Sequence, residues 1–276
     1  MTAPIYCTSE VIENVRLARD TYRFRVYAPD IAAAIRPGQF VMVRAPERSD
    51  PLLGRPFALY DTVLDAHGHP VGIDIVHLVV GKLTRLLAGL REGDRLDLWG
   101  PLGNGFRPVS GVSDLTLVAG GIGQTPFLAA IRDLLGTRGY GGRPARKQAD
   151  SVRLFYGVRT ADLAAGVEDF ENAGAQVHLS SDDGSLGFPG TVIQLLETHR
   201  RPERLIGCGP EPMLLALAEK ARQWSVPCDV SLETPMACGL GICFSCVTKV
   251  RSGDGWDYKR VCVDGPVFDA GELIWQ

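Results

Sequence analysis

Through the first 110 or so residues, apolar and polar positions alternate in short runs, the period-two pattern of half-buried strands. Residues 22–27 (YRFRVY) set aromatic and β-branched side chains against arginines, and residues 39–43, 57–63, 72–80 and 94–99 are further runs. Turn signals at Pro37-Gly38, Pro51, Gly54, His67-Gly68 and Gly93-Asp94 separate them. Short strands at this spacing predict an antiparallel sandwich or barrel over residues 1–110. One helix interrupts at 82–90, where Leu83, Leu86, Leu87 and Leu90 recur at helical spacing.

Beyond residue 111 the period changes. Residues 115–119 (LTLVA) are a continuous apolar run, as in a strand buried on both faces. Strands at 152–156, 175–180 and 204–208 alternate with helices at 125–135, 166–173, 190–199 and 211–223. A Gly-rich, basic surface loop covers 136–149. The alternation predicts right-handed βαβ units in an α/β doubly wound parallel sheet over residues 111–228. Residues 229–276 form a short third segment that holds four of the seven cysteines.

Composition narrows the class. A chain of 276 residues agrees with two domains of ~150 residues each. The net charge of −3 argues against a protein that grips nucleic acid through a basic surface. No apolar run approaches the ~18 residues needed to span a bilayer, and the first residues show no basic-then-apolar leader, so a cytoplasmic protein is expected. An odd number of cysteines does not suit a disulfide framework.

The cysteine spacing is more specific. Cys238-x4-Cys243-x2-Cys246, followed by Cys262, fits the plant-type [2Fe–2S] ligand pattern. Gly239, Gly241 and Ser245 are small enough to let backbone N–H groups reach the cluster sulfurs. A tetrahedral zinc site is the competing reading, although zinc usually takes two tight pairs. An iron–sulfur cluster held this way carries one electron at a time.

Two turns join apolar strands to helices: one with Gly120, Gly121, Gly123, Thr125 and Pro126, the other with Cys208, Gly209 and Pro210. Such loops admit a pyrophosphate to a helix N-terminus and are expected to line one crevice, though an ordinary strand–helix junction also uses glycine. Pro126 suits a first helical turn. Cys208 fits a place beside a nicotinamide, or equally a small buried hydrophobe. In the first domain Arg55 precedes Pro56, Phe57 and Ala58 and offers two parallel hydrogen bonds to a pyrophosphate. Val76, His77 and Leu78 lead to Leu83 and Thr84 at a helix start. Arg159 and Thr160 favour a 2′-phosphate, and Asp162 pulls the other way. Cys7 and Cys228 read as structural, His77 as packing on its strand, and Trp275 as packing on the cysteine segment.

In this order the motifs resemble the ferredoxin–NADP reductase superfamily. The tail, MACGLGICFSC at 236–246 and YKRVCVDGPVF at 258–268, is similar to the electron-transfer subunits of type B dihydroorotate dehydrogenases, and the likeness runs over essentially the whole chain. The resemblance implies a β-barrel FAD domain, with Arg55, Pro56, Phe57, Ala58, Val76, His77, Leu78, Leu83 and Thr84 at the flavin. It implies an NAD-binding α/β domain, with Gly120, Gly121, Gly123, Thr125, Pro126, Cys208, Gly209 and Pro210 at the dinucleotide. It also implies a small C-terminal [2Fe–2S] segment ligated by Cys238, Cys243, Cys246 and Cys262, and no side chain as catalytic acid or base. The implied partner is a catalytic FMN subunit that oxidises dihydroorotate, in a heterotetramer of two plus two, with neither nucleic acid nor membrane. Electrons then pass through the cluster and FAD to NAD+ in pyrimidine biosynthesis, and residues 240–245 are the expected docking face. Two positions depart from the family pattern. Ala58 stands where a hydroxyl is usual, and Leu83 stands where glycine is usual, which is expected to put a side chain where backbone meets phosphate. A reductase of the same superfamily serving another redox partner, and a zinc-stabilised binding protein with vestigial nucleotide loops, are the alternatives.

Overall fold

The computed structural model describes residues 3–46, 50–109 and 111–275. The first part runs β1 (Ile5–Ala18), β2 (Thr21–Tyr27), α1 (Pro29–Ala34), β3 (Phe40–Arg44), β4 (Arg55–Ala58), β5 (Asp61–Leu64), β6 (Pro70–Leu78), α2 (Lys82–Ala88) and β7 (Arg95–Leu102). Its strands form one antiparallel sheet in the order β4-β3-β7-β1-β2-β6-β5. Both edges of that sheet belong to one stretch of chain. β4 pairs with β3 and β5 with β6, while Leu59 and Tyr60 between them donate to the Gln39 and Asp74 carbonyls at 3.0 Å. The sheet therefore curls until its ends meet, which makes the barrel. The run at 57–63 is two strands serving opposite edges.

β1 is the longest strand and escaped the sequence pattern. Its first half pairs with β7 and its second with β2, with a register shift after Val11. The inward-facing set changes at that bulge, so no single alternation survives along it. α1 was also not predicted; it places Ile31 and Ala32 in the barrel core behind Pro29 in its first turn.

The second part runs β8 (Val112–Gly120), a 3-10 turn (Gly121–Gln124), α3 (Phe127–Leu134), β9 (Ala149–Val158), α4 (Val167–Asn172), β10 (Gln176–Ser181), β11 (Phe188–Pro189), α5 (Val192–Glu197), β12 (Arg204–Cys208), α6 (Glu211–Trp224) and β13 (Cys228–Ser231). The parallel order is β10-β9-β8-β12-β13, so the winding reverses between β8 and β12. Ligands of such sheets bind at that switch point. Leu115, Leu117, Val118 and Ala119 are fully buried there, as their unbroken apolar run predicts. The glycine loop does not open straight into the helix. It coils first as the 3-10 turn, and Pro126 stands just ahead of α3 rather than inside it.

The tail adds a hairpin, β14 (Val247–Ser252) with β15 (Gly255–Arg260), and β16 (Val267–Asp269), which pairs antiparallel with β13. β13 crosses the 228/229 limit drawn from composition, and β16 extends the same sheet. Segments below ~70–80 residues rarely build a sufficient core alone. Here Cys246, Val261, Cys262 and Phe268 share one apolar cluster with Met42 and Leu102 of the barrel and Leu214, Leu217 and Val230 of the α/β part, and Trp275 packs against it. Among the described residues, no helix is long and apolar enough to cross a membrane.

Candidate functional site

β4 and β6 bring the first set of predicted residues together. Pro56, Phe57 and Ala58 pair with Met42, Val41 and Phe40, and Val76, His77 and Leu78 pair with Arg23, Tyr22 and Thr21. Arg55 is exposed, and its Nη1 donates to the Leu53 and Gly54 carbonyls at 3.0 Å. The His77 ring stacks on Tyr22 at 6.0 Å and meets Phe57 edge-on at 6.1 Å, so the two strands converge on it. Both its ring nitrogens are buried without a hydrogen-bond partner.

Burial holds His77 neutral and pushes its pKa from 6.5 down to about 4. The unfolded chain then binds a proton that the folded chain refuses. The stability involved is present above pH 6.5 and is lost as the pH falls toward 4, about 3 kcal/mol in all. His77→Phe is expected to flatten the fall of the urea midpoint across that window. An unchanged slope would show that other groups carry the acid sensitivity.

Leu83 corrects an expectation. Its side chain is buried in the barrel core with Leu87, not projected toward a phosphate. Thr84 is occupied locally: its Oγ1 accepts from the Val80 and Gly81 N–H groups at 2.9 Å and caps α2. Leu52 and Leu53, just ahead of Arg55 in the chain, and Val80, just ahead of α2, are exposed apolar residues outside the predicted set. The Lys82–Asp50 ion pair (2.7 Å) ties the 50–53 loop to the start of α2. The Leu-Leu pair just before Arg55 was the available signal.

At the switch point the two predicted loops touch. A Cβ on Gly123 would run into the Cys208 carbonyl. One on Gly209 would lie 3.0 Å from the Gly120 nitrogen, and one on Gly120 would lie 2.6 Å from Met213 Sδ. Space, not torsion, requires glycine at these positions; Gly121 alone among them has a left-handed φ, +54°. Thr125 and Pro126 follow at the mouth of α3, and Pro210 caps α6. Burial pushes the Cys208 thiol up to about 12, with the Glu233 carboxylate adding to the effect, so it sits in the crevice as a neutral group. Asp162 is turned away to Arg19 of the barrel at 3.1 Å, which leaves exposed Arg159 beside the turn at Asp183.

The cysteine loop is built on three left-handed residues, Gly239 (φ +72°), Gly241 (+79°) and Phe244 (+57°). A Cβ on Gly239 would lie 2.7 Å from Met42 and 3.0 Å from Leu102, so the loop rests directly on β3 and β7. The Leu240 N–H donates to Cys238 Sγ at 3.2 Å, and the Ser245 hydroxyl lies 3.2 Å from Cys243 Sγ. Hydrogen bonds from Ser245 and then Cys238 bring the Cys243 thiol down to about 6. Burial, then hydrogen bonding with Cys246, pushes Cys262 up to about 12. Among the described residues, no group of three or more His, Cys, Asp or Glu is disposed around a single metal ion. Around this loop Leu240, Ile242 (77% exposed), Phe244, Trp256 and Tyr258 face solvent, with Arg260 over the Phe244 ring at 5.4 Å.

Known proteins share this arrangement. A family model described as an oxidoreductase FAD-binding domain matches residues 8–106, and one described as the iron–sulfur cluster binding domain of dihydroorotate dehydrogenase B matches 233–274. A chain of the NADH-dependent reduced ferredoxin-NADP oxidoreductase superposes with a TM-score of 0.79 at 30% identity, covering 97% of this chain and 90% of that one. Phthalate dioxygenase reductase, at 18% identity and a TM-score of 0.59, shares the fold over 94% of each chain. Fold and site thus define an oxidoreductase of the ferredoxin reductase class with an FAD-binding domain and an iron–sulfur domain. The electron transfer subunit of dihydroorotate dehydrogenase B (NAD(+)) from Desulforamulus reducens is 35% identical over 97% of this chain and 98% of its own. The one from Geobacillus thermodenitrificans is 37% identical over 96% of each. The chain belongs to the family of dihydroorotate dehydrogenase B electron transfer subunits.

Proposed function

We propose that this chain carries electrons from a dihydroorotate-oxidising FMN subunit to NAD+ in pyrimidine biosynthesis, as two copies joined to two catalytic subunits in the cytoplasm. The observation that carries the reading is the seating of the cysteine loop, through Gly239, on barrel strands β3 and β7, of which β3 pairs with the strand of Arg55 and Phe57. Cys238, Cys243, Cys246 and Cys262 would hold the [2Fe–2S] cluster, with Leu240 N–H and the Ser245 hydroxyl directed at its sulfurs. Exposed Leu52, Leu53 and Val80 suit a flat ring system, and Arg55 suits its diphosphate. Gly120, Gly123 and Gly209 let the two loops close on one another at the crevice assigned to NAD, with the neutral Cys208 thiol beside them. When bound, the cluster supplies single electrons and the flavin exchanges them for the hydride that NAD+ accepts. The exposed apolar patch around residues 240–244, 256 and 258 suits the partner.

The test is direct. Anaerobically purified protein is expected to show flavin and iron–sulfur absorption together, with iron in twofold excess over flavin. Mixed with the catalytic subunit and dihydroorotate, it is expected to reduce NAD+. A colourless zinc protein, or a loaded one that passes electrons only to some other acceptor, would overturn the reading.

A further inference from the structure

We propose that Trp99 is a positioning residue for electron passage, a rigid spacer that fixes the cluster loop against the strand assigned to the flavin. The proposal rests on the function proposed above. Trp99 lies on β7, opposite Tyr6 of β1 and Met42 of β3. Its Nε1–H donates to the Cys238 carbonyl at 2.9 Å. The benzenoid carbons next to that N–H lie against Gly54: a Cβ there would stand 2.5 Å from Cη2 and 3.3 Å from Cζ2. The carbonyl of Gly54 in turn accepts from Arg55 Nη1 at 3.0 Å. One planar group therefore touches, along one edge, both the backbone of a cluster ligand and the backbone beside Arg55.

The contact is specified from both sides. The indole occupies the volume a side chain at 54 would need, so only glycine lets the ring edge approach there. Packing against the cluster that holds Met42, Leu102, Cys246 and Cys262 fixes its rotamer, and the hydrogen bond fixes its tilt. Mere satisfaction of an indole N–H would not require a glycine against the neighbouring ring carbons.

The electron balance is simple. On each passage the reduced cluster loses one electron and the flavin gains one, and Trp99 is neither oxidised nor reduced. Two passages with one proton from solvent bring the flavin to the level that hydride transfer to NAD+ returns to the start. Trp99 acts through the separation it maintains, and small displacements of redox groups change rates steeply.

The experiment uses the cofactor-loaded protein with Trp99→Leu, Trp99→Phe and Gly54→Ala. Trp99→Leu is expected to keep wild-type flavin and iron content and the wild-type cluster potential in an EPR-monitored titration. Its cluster reduction by NADH, followed by rapid mixing, is expected to slow on the order of tenfold. Trp99→Phe keeps a ring in place and is expected to stay within about twofold. Gly54→Ala displaces the ring while leaving Trp99 and the cysteines intact, and is expected to slow like Trp99→Leu. It decides the matter if Trp99→Leu loses its cluster. Wild-type rates in Trp99→Leu or Gly54→Ala, or a Trp99→Phe as slow as Trp99→Leu, would overturn the spacer role. A wild-type protein that lacks flavin or cluster would instead overturn the function on which the proposal rests.

Discussion

Cys243→Ser is expected to cut electron delivery from the catalytic subunit by more than about 100-fold, beyond what changes outside the ligand sphere cause. NADH oxidation by an artificial acceptor such as ferricyanide is expected to survive in the same protein. The exposure of Cys243 makes the experiment clean. Its sulfur meets the Ser245 hydroxyl and lies outside the shared core, so serine is expected to change stability by no more than about 0.5 kcal/mol. Cys246 and Cys262 are buried in the cluster that joins all three parts of the chain, and replacing either would mix ligand loss with core damage. Thiolate is the ligand a [2Fe–2S] cluster takes, and a serine hydroxyl deprotonates far less readily. EPR of the reduced protein and the paired assays read the outcome. Loss of both activities in a folded protein that still holds FAD would sink the cluster role, as would full electron delivery.

Asp61→Asn is expected to cost about 3 kcal/mol, the low end for breaking a buried pair, because its arginine partners keep a quarter of their surface in solvent. Asp61 is buried on β5 and receives hydrogen bonds from Arg132 on α3, from Arg138 at 2.7 Å and from Tyr140 at 2.6 Å. It is the barrel's half of a joint whose other half lies in the α/β part. Burial and the neighbouring Arg138 already push the Arg132 pKa down, and losing the carboxylate leaves two guanidiniums facing one another. The adjacent Tyr60 reaches Asp169 at 2.6 Å and its carbonyl accepts from the Ala129 N–H, so this corner of the barrel is docked by several polar contacts at once. Urea unfolding followed by separate reporters in each part is expected to split into two transitions in the variant. A single transition within 1 kcal/mol of wild type would mean that the apolar contacts suffice.

Several site features were legible because their signal is carried by neighbours along the chain. The three spacings among the four tail cysteines, the glycine loops and the alternation at 22–27 all express local requirements: ligand reach, tight approach and one buried strand face. Leu83 shows the limit of such reading. A leucine in a glycine position looked obstructive, yet a helix turns successive side chains by about 100°, and this one points into the barrel. Exposed Leu52, Leu53 and Val80 had no periodic signature, because they come from two loops held together by a surface ion pair.

The sequence by itself determined most of the strands and helices with one buried face, the spacing that groups Cys238, Cys243, Cys246 and Cys262, and where glycine is needed at strand ends. Tertiary structure decided how these meet: the closure of the barrel through residues 55–64, the two neighbours of β1, the contact of Gly123 with Cys208, and the contacts of Trp99 with Cys238 and Gly54. Periodicity records only which face of an element is buried. Which partner buries it depends on register and on contacts between residues far apart in the chain, and no local pattern encodes those.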